Sequence, residues 1–330
     1  MKKNITVILT DKCNLKCKHC FQSKTGISMP ETVLKQTVHY IINQINSDND
    51  DYHIRLWGGE ILTYDKQLLI DQINKLRREC NRPVTIYTQS NLITSDIESY
   101  MDLFKLLDYV DTSYDYSVRF TNLDTRINWI NNVKYLINNG ITTSCTISLT
   151  KDLIENITPQ SLFDLMLSLG IQNIELERML KPIRDIPNFE ALCAKNTKVT
   201  EWLFEAYKVY EKLKKHNIYV ETFNCIEESI KGNFYYEHSR SCNKSDITIT
   251  PLGKVTKCYM LREKPYTDVF TNKLDTKTLY KLIIDEETLP NDCINCKLLK
   301  YCRGDCQFMW WDETGCSTPK LIYEYILSKD

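Results

Sequence analysis

Strand-like and helix-like stretches alternate six times across the first two-thirds of this 330-residue chain. Apolar, β-branched runs predict strands, and amphipathic runs bounded by proline or glycine predict helices. Such alternation predicts an α/β fold with a parallel sheet and right-handed crossovers, built as an open sheet or as a partial barrel. The predicted strands are 4–10, 53–57, 84–88, 110–115, 142–150 and 173–178, and the predicted helices are 30–46, 65–80, 95–107, 125–138, 159–169 and about 197–216.

The sequence changes character near residue 240, where long periodic helices give way to many cysteines. DITIT and KVTKC, around the turn PLG, predict a hairpin, and TKTLYKLIID predicts a short helix. The remaining loops carry too little apolar material to pack alone, so bound metal is expected to hold them. We therefore expect a core at 1–216, a bridging region at 217–240 and a small cysteine-rich domain at 241–330.

Charge and composition exclude several classes of function. The 42 basic and 43 acidic residues nearly cancel, whereas a general affinity for nucleic acid needs a basic excess. No apolar stretch approaches the roughly 20 residues of a membrane span, and MKKN leads into a strand-like run without a secretion signal. We expect a cytoplasmic protein with no nucleic-acid or membrane partner. Its 14 cysteines then indicate metal or redox chemistry rather than disulfides.

Three cysteines within eight residues, CNLKCKHC, directly follow the first predicted strand. Active sites of parallel α/β folds lie at the carboxyl ends of strands, so a catalytic loop is expected there. A closed metal site usually takes four protein ligands. Three thiolates on a cubane iron–sulfur cluster would leave one iron open to a substrate or cofactor. This predicts a cluster at Cys13, Cys17 and Cys20, with part of a zinc site as the alternative.

The chain resembles the radical S-adenosylmethionine (radical SAM) superfamily in four loops. The cysteine spacing is that family's motif, and WGGE (57–60), TQSN (88–91) and SYD (113–115) end the next three strands. The resemblance implies a partial (β/α)6 barrel and a 4Fe-4S cluster whose open iron binds S-adenosyl-L-methionine (SAM). Reductive cleavage of SAM would give methionine and a 5′-deoxyadenosyl radical that abstracts hydrogen from an unactivated C–H bond.

The same resemblance implies which residues contact the cofactor. Glu60, unless it is an ordinary solvated loop residue, suits the amino group of SAM, and the glycines before it allow close backbone approach. Ser113 is expected near the SAM carboxylate, and His19 near the adenine or as a packing residue. Tyr116 stands where relatives often carry glycine, so the loop there is open to a different shape. The expected cofactor-binding set is His19, Gly58, Gly59, Glu60, Gln89, Ser90, Asn91 and Ser113.

Seven later cysteines resemble the SPASM extension of radical SAM enzymes, which holds two auxiliary 4Fe-4S clusters in relatives. Three clusters are therefore expected in all. Cys225 is the candidate fourth ligand of the inner cluster, and an open iron is the alternative. The resemblance implies an outer cluster on Cys293, Cys296, Cys302 and Cys316 and an inner cluster on Cys242, Cys258 and Cys306.

Two plainer interpretations of the cysteines stay open. Four of them, Cys293, Cys296, Cys302 and Cys306, have spacings that a zinc ribbon also uses. The cysteines outside both sets are predicted to be small buried hydrophobes, unless one donates a hydrogen atom to a substrate radical. These are Cys80, Cys145 and Cys193.

Polar side chains alternate with apolar ones on the fifth and sixth predicted strands. Helices should cover the apolar face, so the polar face is expected to point into the barrel. On the fifth strand the polar face carries Ser144, Thr146 and Ser148, and the apolar face carries Cys145, Ile147 and Leu149. On the sixth, Glu175 and Glu177 point inward. With Asp115 they are the candidate catalytic carboxylates, one of them a general base, unless they are structural or pair with Arg178 or Arg126.

SPASM relatives mostly modify peptides or proteins, so the resemblance implies a peptide or protein substrate that is crosslinked, epimerised or oxidised. Many such relatives begin with a leader-binding domain, whereas here the first strand starts at residue 4. A separate leader-binding protein, or a substrate bound without one, is therefore expected. A reducing partner such as flavodoxin or ferredoxin is also implied. The alternatives are a radical SAM dehydrogenase or isomerase of a small molecule, and a non-catalytic iron–sulfur or zinc-binding protein.

Overall fold

The structure, a computed structural model, describes residues 2–22, 25–182, 184–233 and 246–329. Its elements follow the predicted alternation through all six units. The strands are β1 (Lys2–Thr10), β2 (Asp51–Gly58), β3 (Thr85–Ser90), β4 (Tyr109–Tyr114), β5 (Thr143–Ser148), β6 (Asn173–Glu177), β7 (Tyr219–Val220), β8 (Asp246–Ile249), β9 (Lys254–Thr256), β10 (Thr267–Asp268), β11 (Trp311–Asp312) and β12 (Gly315–Cys316).

The helices alternate with the strands in the first two-thirds and become short beyond residue 290. The α-helices are α1 (Glu31–Ser47), α2 (Lys66–Glu79), α3 (Met101–Phe104), α4 (Tyr116–Arg119), α5 (Leu123–Asn138), α6 (Lys151–Asn156), α7 (Pro159–Leu169), α8 (Asn196–Leu213), α9 (Glu221–Ile230), α10 (Thr276–Glu287), α11 (Asn291–Ile294), α12 (Leu299–Cys302) and α13 (Lys320–Leu327). No helix in the described part of the chain is long and apolar enough to cross a membrane.

Strands β1 to β6 pair in chain order and in parallel, which confirms the predicted α/β fold of the partial-barrel type. β7 extends the sheet beyond β6, and β8 extends it beyond β1, both in parallel. β9 and β10 follow β8 with antiparallel pairing. Because the strands of the barrel run in one direction, their carboxyl ends and the loops that follow them meet at one rim.

Local sequence signals begin and end the helices that cover the barrel. Asp65 caps α2 by accepting a hydrogen bond from the backbone N–H of Leu68 at 2.9 Å. Thr158 caps α7, Pro159 occupies its first turn, and Gly170 ends it with a left-handed φ of +82°. These signals place the apolar side of each helix against the sheet.

The outer face of β5 is packed as its alternation predicts. Cys145, Ile147 and Leu149 are fully buried in the core shared with Trp129 of α5 and Phe163 of α7. The prediction that Cys145 is a small buried hydrophobe is therefore confirmed. The other two cysteines outside the expected metal sets, Cys80 and Cys193, are half-buried.

The predicted helix over 95–107 is wrong in length, because the structure has only a 3-10 turn, Glu98–Tyr100, followed by the four residues of α3. The hydroxyl of Thr94 accepts the N–H of Asp96 at 3.2 Å, and the carboxylate of Asp96 accepts the N–H of Ser99 at 3.3 Å. A carboxylate that accepts the N–H three residues ahead is a typical helix-start contact. Thr94 and Asp96 therefore form a polar turn, and the helical segment begins only at Glu98.

The predicted hairpin and short helix of the C-terminal region are β8–β9 and α10. The hairpin joins the barrel sheet directly, and the amide of Asn4 on β1 donates to the carboxylate of Asp246 at 3.0 Å. Of the predicted bridging region, residues 217–230 contain β7 and α9, which continue the barrel. Cys242, an expected cluster ligand, lies outside the described residues.

Candidate active site

A cavity of about 470 Å³ lies inside the curved sheet. The cysteine loop after β1, the Gly58–Glu60 turn after β2 and inward side chains of β3 to β6 line it. Ser144, Thr146 and Ser148 all face this cavity, which confirms the orientation predicted from strand alternation. The rim of the barrel thus gathers residues that are far apart in sequence.

The three cysteines of the first loop, Cys13, Cys17 and Cys20, all line the cavity. The sulfur of Cys13 accepts the backbone N–H of Leu15 at 3.4 Å, and the Arg184 guanidinium donates to the carbonyl of Cys20. Burial raises the pKa of Cys17 to about 11, against the opposing effect of nearby Arg119. Burial also raises the pKa of Cys13, so both thiols stay protonated at neutral pH until a metal displaces the protons.

The two glycines of WGGE are required by close approach to the chain's own backbone. A Cβ on Gly58 would lie 2.3 Å from the carbonyl oxygen of Thr10, and one on Gly59 would lie 2.1 Å from that of Lys12. The N–H of Gly59 donates to Thr10 O at 2.7 Å, and that of Glu60 donates to Lys12 O at 2.8 Å. The glycines thus bring the turn after β2 against the cysteine loop.

The side chain of Glu60, the last residue of this turn, is buried, so Glu60 is not a solvated loop residue. Its Oε1 accepts the hydroxyl of Ser90 at 2.7 Å and the N–H of Leu62 at 3.1 Å, and its Oε2 accepts the N–H of Asn91 at 2.7 Å. Burial raises the pKa of Glu60, and these three donors act in the opposite direction. A carboxylate offers about four acceptor positions, so about one remains for a ligand's ammonium group.

The other expected cofactor-binding residues also line the cavity. The amide of Asn91 donates to Asn14 at 2.8 Å and so contacts the cysteine loop. The amide of Gln89 donates to Asp111 at 3.0 Å and lies 3.5 Å from the hydroxyl of Ser113. The structure thus brings the ends of β3 and β4 to the same side of the cavity as the cysteines.

Asp115, a candidate general base, is fully enclosed in an ion-pair network at the end of β4. Its Oδ2 lies 2.5 Å from the guanidinium of Arg119 and 3.4 Å from Nε2 of His19. Burial alone would raise the pKa of Asp115, but Arg119 and His19 hold it well below its ordinary value. Asp115 is therefore a poor proton acceptor, and the geometry gives it the role of an anchor for His19 and Arg119.

Arg119 is a site residue that the sequence interpretation did not name, although its i,i+4 spacing from Asp115 was a usable signal. Of the two arginines named as partners of the inward carboxylates, Arg126 lies over the ring of Tyr114 at 5.9 Å, and Arg178 pairs with Asp305. Both arginines therefore have contacts other than the candidate carboxylates. Tyr116 has a φ of +41°, a left-handed backbone conformation that glycine adopts more readily than tyrosine.

Glu175 and Glu177 point into the cavity as expected. The hydroxyl of Thr146 lies 3.4 Å from a carboxylate oxygen of Glu175. Beside them lies Asp111 on β4, a buried carboxylate that the sequence interpretation missed. Strand alternation could have indicated Asp111, because residues two apart share a face and Asp111 lies two residues before Ser113 on β4.

Two of the later cysteines also line this cavity. Cys302 and Cys225 line it, and the thiol of Cys225 donates to Glu221, 3.5 Å away on α9. The Arg178 guanidinium donates to both carboxylate oxygens of Asp305, which tethers the loop between Cys302 and Cys306 to the end of β6. Cys293 is buried, whereas Cys258, Cys296 and Cys316 are partly exposed.

The cysteine loops fit iron–sulfur ligation by one shared feature. The sulfurs of Cys13, Cys258 and Cys306 each accept the backbone N–H two residues ahead, from Leu15, Met260 and Phe308, all at 3.4 Å. Hydrogen bonds of this kind stabilise thiolates and tune cluster potentials. Within the described ranges, no three His, Cys, Asp or Glu side chains are grouped as ligands of a single metal ion.

Comparison with known families agrees with this geometry. Residues 7–182 match the Radical SAM superfamily, and this span is more than half of the chain. The protein therefore belongs to the radical SAM superfamily. Membership supports SAM and a 4Fe-4S cluster as its cofactors, and the residues at the cavity rim suit both.

Particular relatives span nearly the whole chain. The radical SAM cyclopropyl synthase TigE of Paramaledivibacter caminithermalis is 23% identical over 370 residues, covering 99% of this chain and 74% of TigE. The structure of anSMEcpe with bound AdoMet and the Cp18Cys peptide has a TM-score of 0.81 at 17% identity, covering 100% of this chain and 98% of anSMEcpe. Streptococcus suis SuiB bound to the precursor peptide SuiA has a TM-score of 0.60 at 16% identity, covering 92% and 72%. These structural likenesses show the fold.

Proposed function

We propose that this protein is a radical SAM maturase that cleaves SAM reductively and modifies a peptide or protein by hydrogen abstraction from an unactivated C–H bond. The observation that carries the proposal is the meeting of the cysteine loop, the Gly58–Glu60 turn and the polar inner face of β4–β6 around one cavity. When bound, the cluster and SAM supply a 5′-deoxyadenosyl radical. A cavity of about 470 Å³ is in the size range of small-ligand sites.

Different residues of the chain would bind the cluster and the separate groups of SAM. Cys13, Cys17 and Cys20 supply the thiolates of the cluster. The free acceptor position of Glu60 suits the ammonium of SAM, and Ser113 suits its carboxylate. The buried pair of Asp115 and Arg119 would fix the loop after β4, and the contact of Asp115 with His19 would link it to the cysteine loop.

A peptide or protein is the substrate class that the relatives favour. Peptides are bound in the structures of anSMEcpe and SuiB, and the fold matches 98% of anSMEcpe. The modification we propose is a crosslink, an epimerisation or an oxidation. A separate leader-binding protein and a flavodoxin or ferredoxin as reductant belong to the same proposal.

We further propose that the C-terminal region is a SPASM domain with two auxiliary 4Fe-4S clusters. The ligands would be those expected from the resemblance, with Cys225 as the candidate fourth ligand of the inner cluster. The recurring N–H to sulfur contact at Cys13, Cys258 and Cys306 supports a common ligand role. A role for the clusters as acceptors of a substrate electron would suit an oxidative modification.

The test is co-expression, in an anaerobically grown bacterial host, with each short peptide encoded beside the gene. We expect a mass change in one peptide, absent when Cys13, Cys17 and Cys20 are all replaced by alanine. If no peptide changes mass, but the reconstituted protein oxidises or isomerises a small molecule in a SAM-dependent way, the substrate class is wrong. If no SAM-dependent reaction occurs with full iron loading, the enzymatic proposal is wrong.

A further inference from the structure

We propose that Asp111 is the proton acceptor of the reaction, taking a proton from a hydroxyl, thiol or N–H group next to the substrate's carbon radical. This inference deepens the proposed function and depends on it. It does not use Asp115, because that carboxylate is held in an ion pair with Arg119.

The position of Asp111 suits contact with substrate. It lies in the middle of β4, two residues before Ser113 and on the same face, so it is set below the rim where the cysteine loop lies. In the sheet register it pairs with Gln89 on β3 and Ser144 on β5. A substrate side chain that enters between the rim and the barrel interior would therefore meet Asp111.

The hydrogen bonds of Asp111 suit both of its protonation states. Oδ1 accepts the hydroxyl of Ser144 at 2.7 Å, and Oδ2 accepts the hydroxyl of Thr146 at 2.9 Å and the amide of Gln89 at 3.0 Å. A hydroxyl can rotate to accept as well as donate, so Ser144 and Thr146 can stabilise a protonated carboxyl as well. These neutral partners differ from the Arg119 guanidinium that pairs with Asp115.

Burial and the surrounding charges bring the pKa of Asp111 close to neutral pH. Burial raises the pKa of Asp111 to about 7, the carboxylate of Glu175 on β6 adds to the rise, and Arg55 on β2 opposes it. Stacked Tyr87 and Tyr109 also line the cavity, from β3 and β4. A base with a pKa near the working pH is the most effective proton acceptor.

The proposed step balances without an electron acceptor. The heteroatom–hydrogen bond of the substrate breaks, its electron pair stays on the heteroatom, and the proton forms a bond to an oxygen of Asp111. The substrate radical becomes a radical anion and no electron leaves it in this step. The proton returns to solvent through the open side of the cavity after product release.

The experiment compares modified peptide with 5′-deoxyadenosine in the reconstituted enzyme. Asp111→Asn keeps the shape of the side chain and removes the base. We expect modified peptide to fall about 100-fold, the lower range for loss of a general base. The ratio of modified peptide to 5′-deoxyadenosine should fall with it, because SAM cleavage and hydrogen abstraction precede the proton transfer. Unchanged peptide modification in this variant would overturn the inference.

The pH dependence gives an independent readout with two tuning variants. The ratio of modified peptide to 5′-deoxyadenosine should rise with pH through about 7 in the wild type, because the ionised form accepts the proton. Glu175→Gln removes a like charge and should move this midpoint to lower pH. Ser144→Ala removes a donor to the ionised form and should move it to higher pH.

These shifts decide the question even if Asp111→Asn fails to fold. Opposite shifts in Glu175→Gln and Ser144→Ala support the inference, and an unmoved midpoint in both overturns it. Failure of the proposed function has a different signature, since the wild type would then form 5′-deoxyadenosine without modifying any peptide. The two failures are thus distinguished by the wild type alone.

Discussion

Arg262 donates to both carboxylate oxygens of Asp11, with Nη1 at 2.8 Å from Oδ1 and Nη2 at 3.1 Å from Oδ2. The side chain of Asp11 is fully buried, and that of Arg262 is 17% exposed. Asp11 stands two residues before Cys13, and Arg262 stands four residues after Cys258. This bidentate pair therefore fixes the geometry between the first cysteine loop and the C-terminal cysteine region.

Breaking this pair from one side should destabilise the protein strongly. Arg262→Ala leaves the carboxylate of Asp11 buried and unpaired, which costs about 3–5 kcal/mol of unfolding free energy. The double variant Asp11→Asn with Arg262→Met should recover much of the loss, because no charge is then left buried. Anaerobic urea titration of the reconstituted protein measures both, and a wild-type midpoint for Arg262→Ala would contradict the prediction.

The turn after β2 should not tolerate any side chain at Gly59. In Gly59→Ala the new Cβ would lie 2.1 Å from Lys12 O, so the turn must move away from the cysteine loop. A misplacement of about 1 Å can cost about 100-fold in rate, and we expect at least that loss of 5′-deoxyadenosine formation.

A matched control for this prediction is Gly140→Ala. Gly140 has a φ of +79° and open space around it, so alanine there adds backbone strain without a clash. It should lower stability by about 1–2 kcal/mol and leave SAM cleavage at the wild-type rate. Equal activity of the two alanine variants would show that the contact between the turn and the cysteine loop has no catalytic importance.

Asp115 should contribute to stability and not to the pH dependence of catalysis. Arg119 and His19 hold the pKa of Asp115 below its ordinary value of 3.8, although burial opposes them. A depressed pKa in the folded state contributes stability that is fully present above pH 3.8 and is lost as the pH falls toward the folded pKa. Asp115→Asn should therefore lose stability at neutral pH.

The midpoint of the pH profile separates Asp115 from Asp111. Because Asp115 stays ionised across the working range, Asp115→Asn should leave the midpoint near 7 where it is. Rates measured between pH 5.5 and about 8.5 would show this, since that range brackets a base of pKa near 7. A midpoint that disappears in Asp115→Asn would instead make Asp115 the titrating group.

The expected C-terminal ligands should hold iron, whereas the cysteines outside the expected ligand sets should hold none. Three 4Fe-4S clusters require about twelve irons per chain, with negligible zinc. Cys306→Ala should lose about four of these irons, because one cluster loses a ligand. Cys80→Ala, at the end of α2, should lose none. About four irons with stoichiometric zinc in the wild type would make the C-terminal region structural and remove the proposed electron acceptors.

The barrel, and the side chains that face its interior, were predicted from the periodicity of the sequence. Period-two alternation placed Ser144 and Thr146 inside and Cys145 outside, because one face of β5 packs under helices. The helix over 95–107 was predicted to begin too early, since Thr94 and Asp96 form a polar turn ahead of Glu98. The addition of β8 to β1 needed a pairing across 242 residues, which periodicity does not contain.

The residues of the site were predictable where a motif fixed them. The cysteine loop and WGGE lie at strand ends, so their convergence followed from the parallel sheet. The partners of the charged groups were not predictable in this way. Arg178 reaches Asp305 across 127 residues, and Asp111 gains its environment from two neighbouring strands. Such contacts depend on strand order and register, which are set by the whole fold.

SAM cleavage by the reconstituted protein tests the central claim most directly. Under anaerobic conditions with a strong reductant, we expect 5′-deoxyadenosine from the wild type and none from Cys17→Ala, which lacks one ligand of the first cluster. Cys80→Ala should match the wild type. An iron-loaded wild type that forms no 5′-deoxyadenosine, or equal formation by Cys17→Ala, would contradict the assignment of this cavity as a radical SAM site.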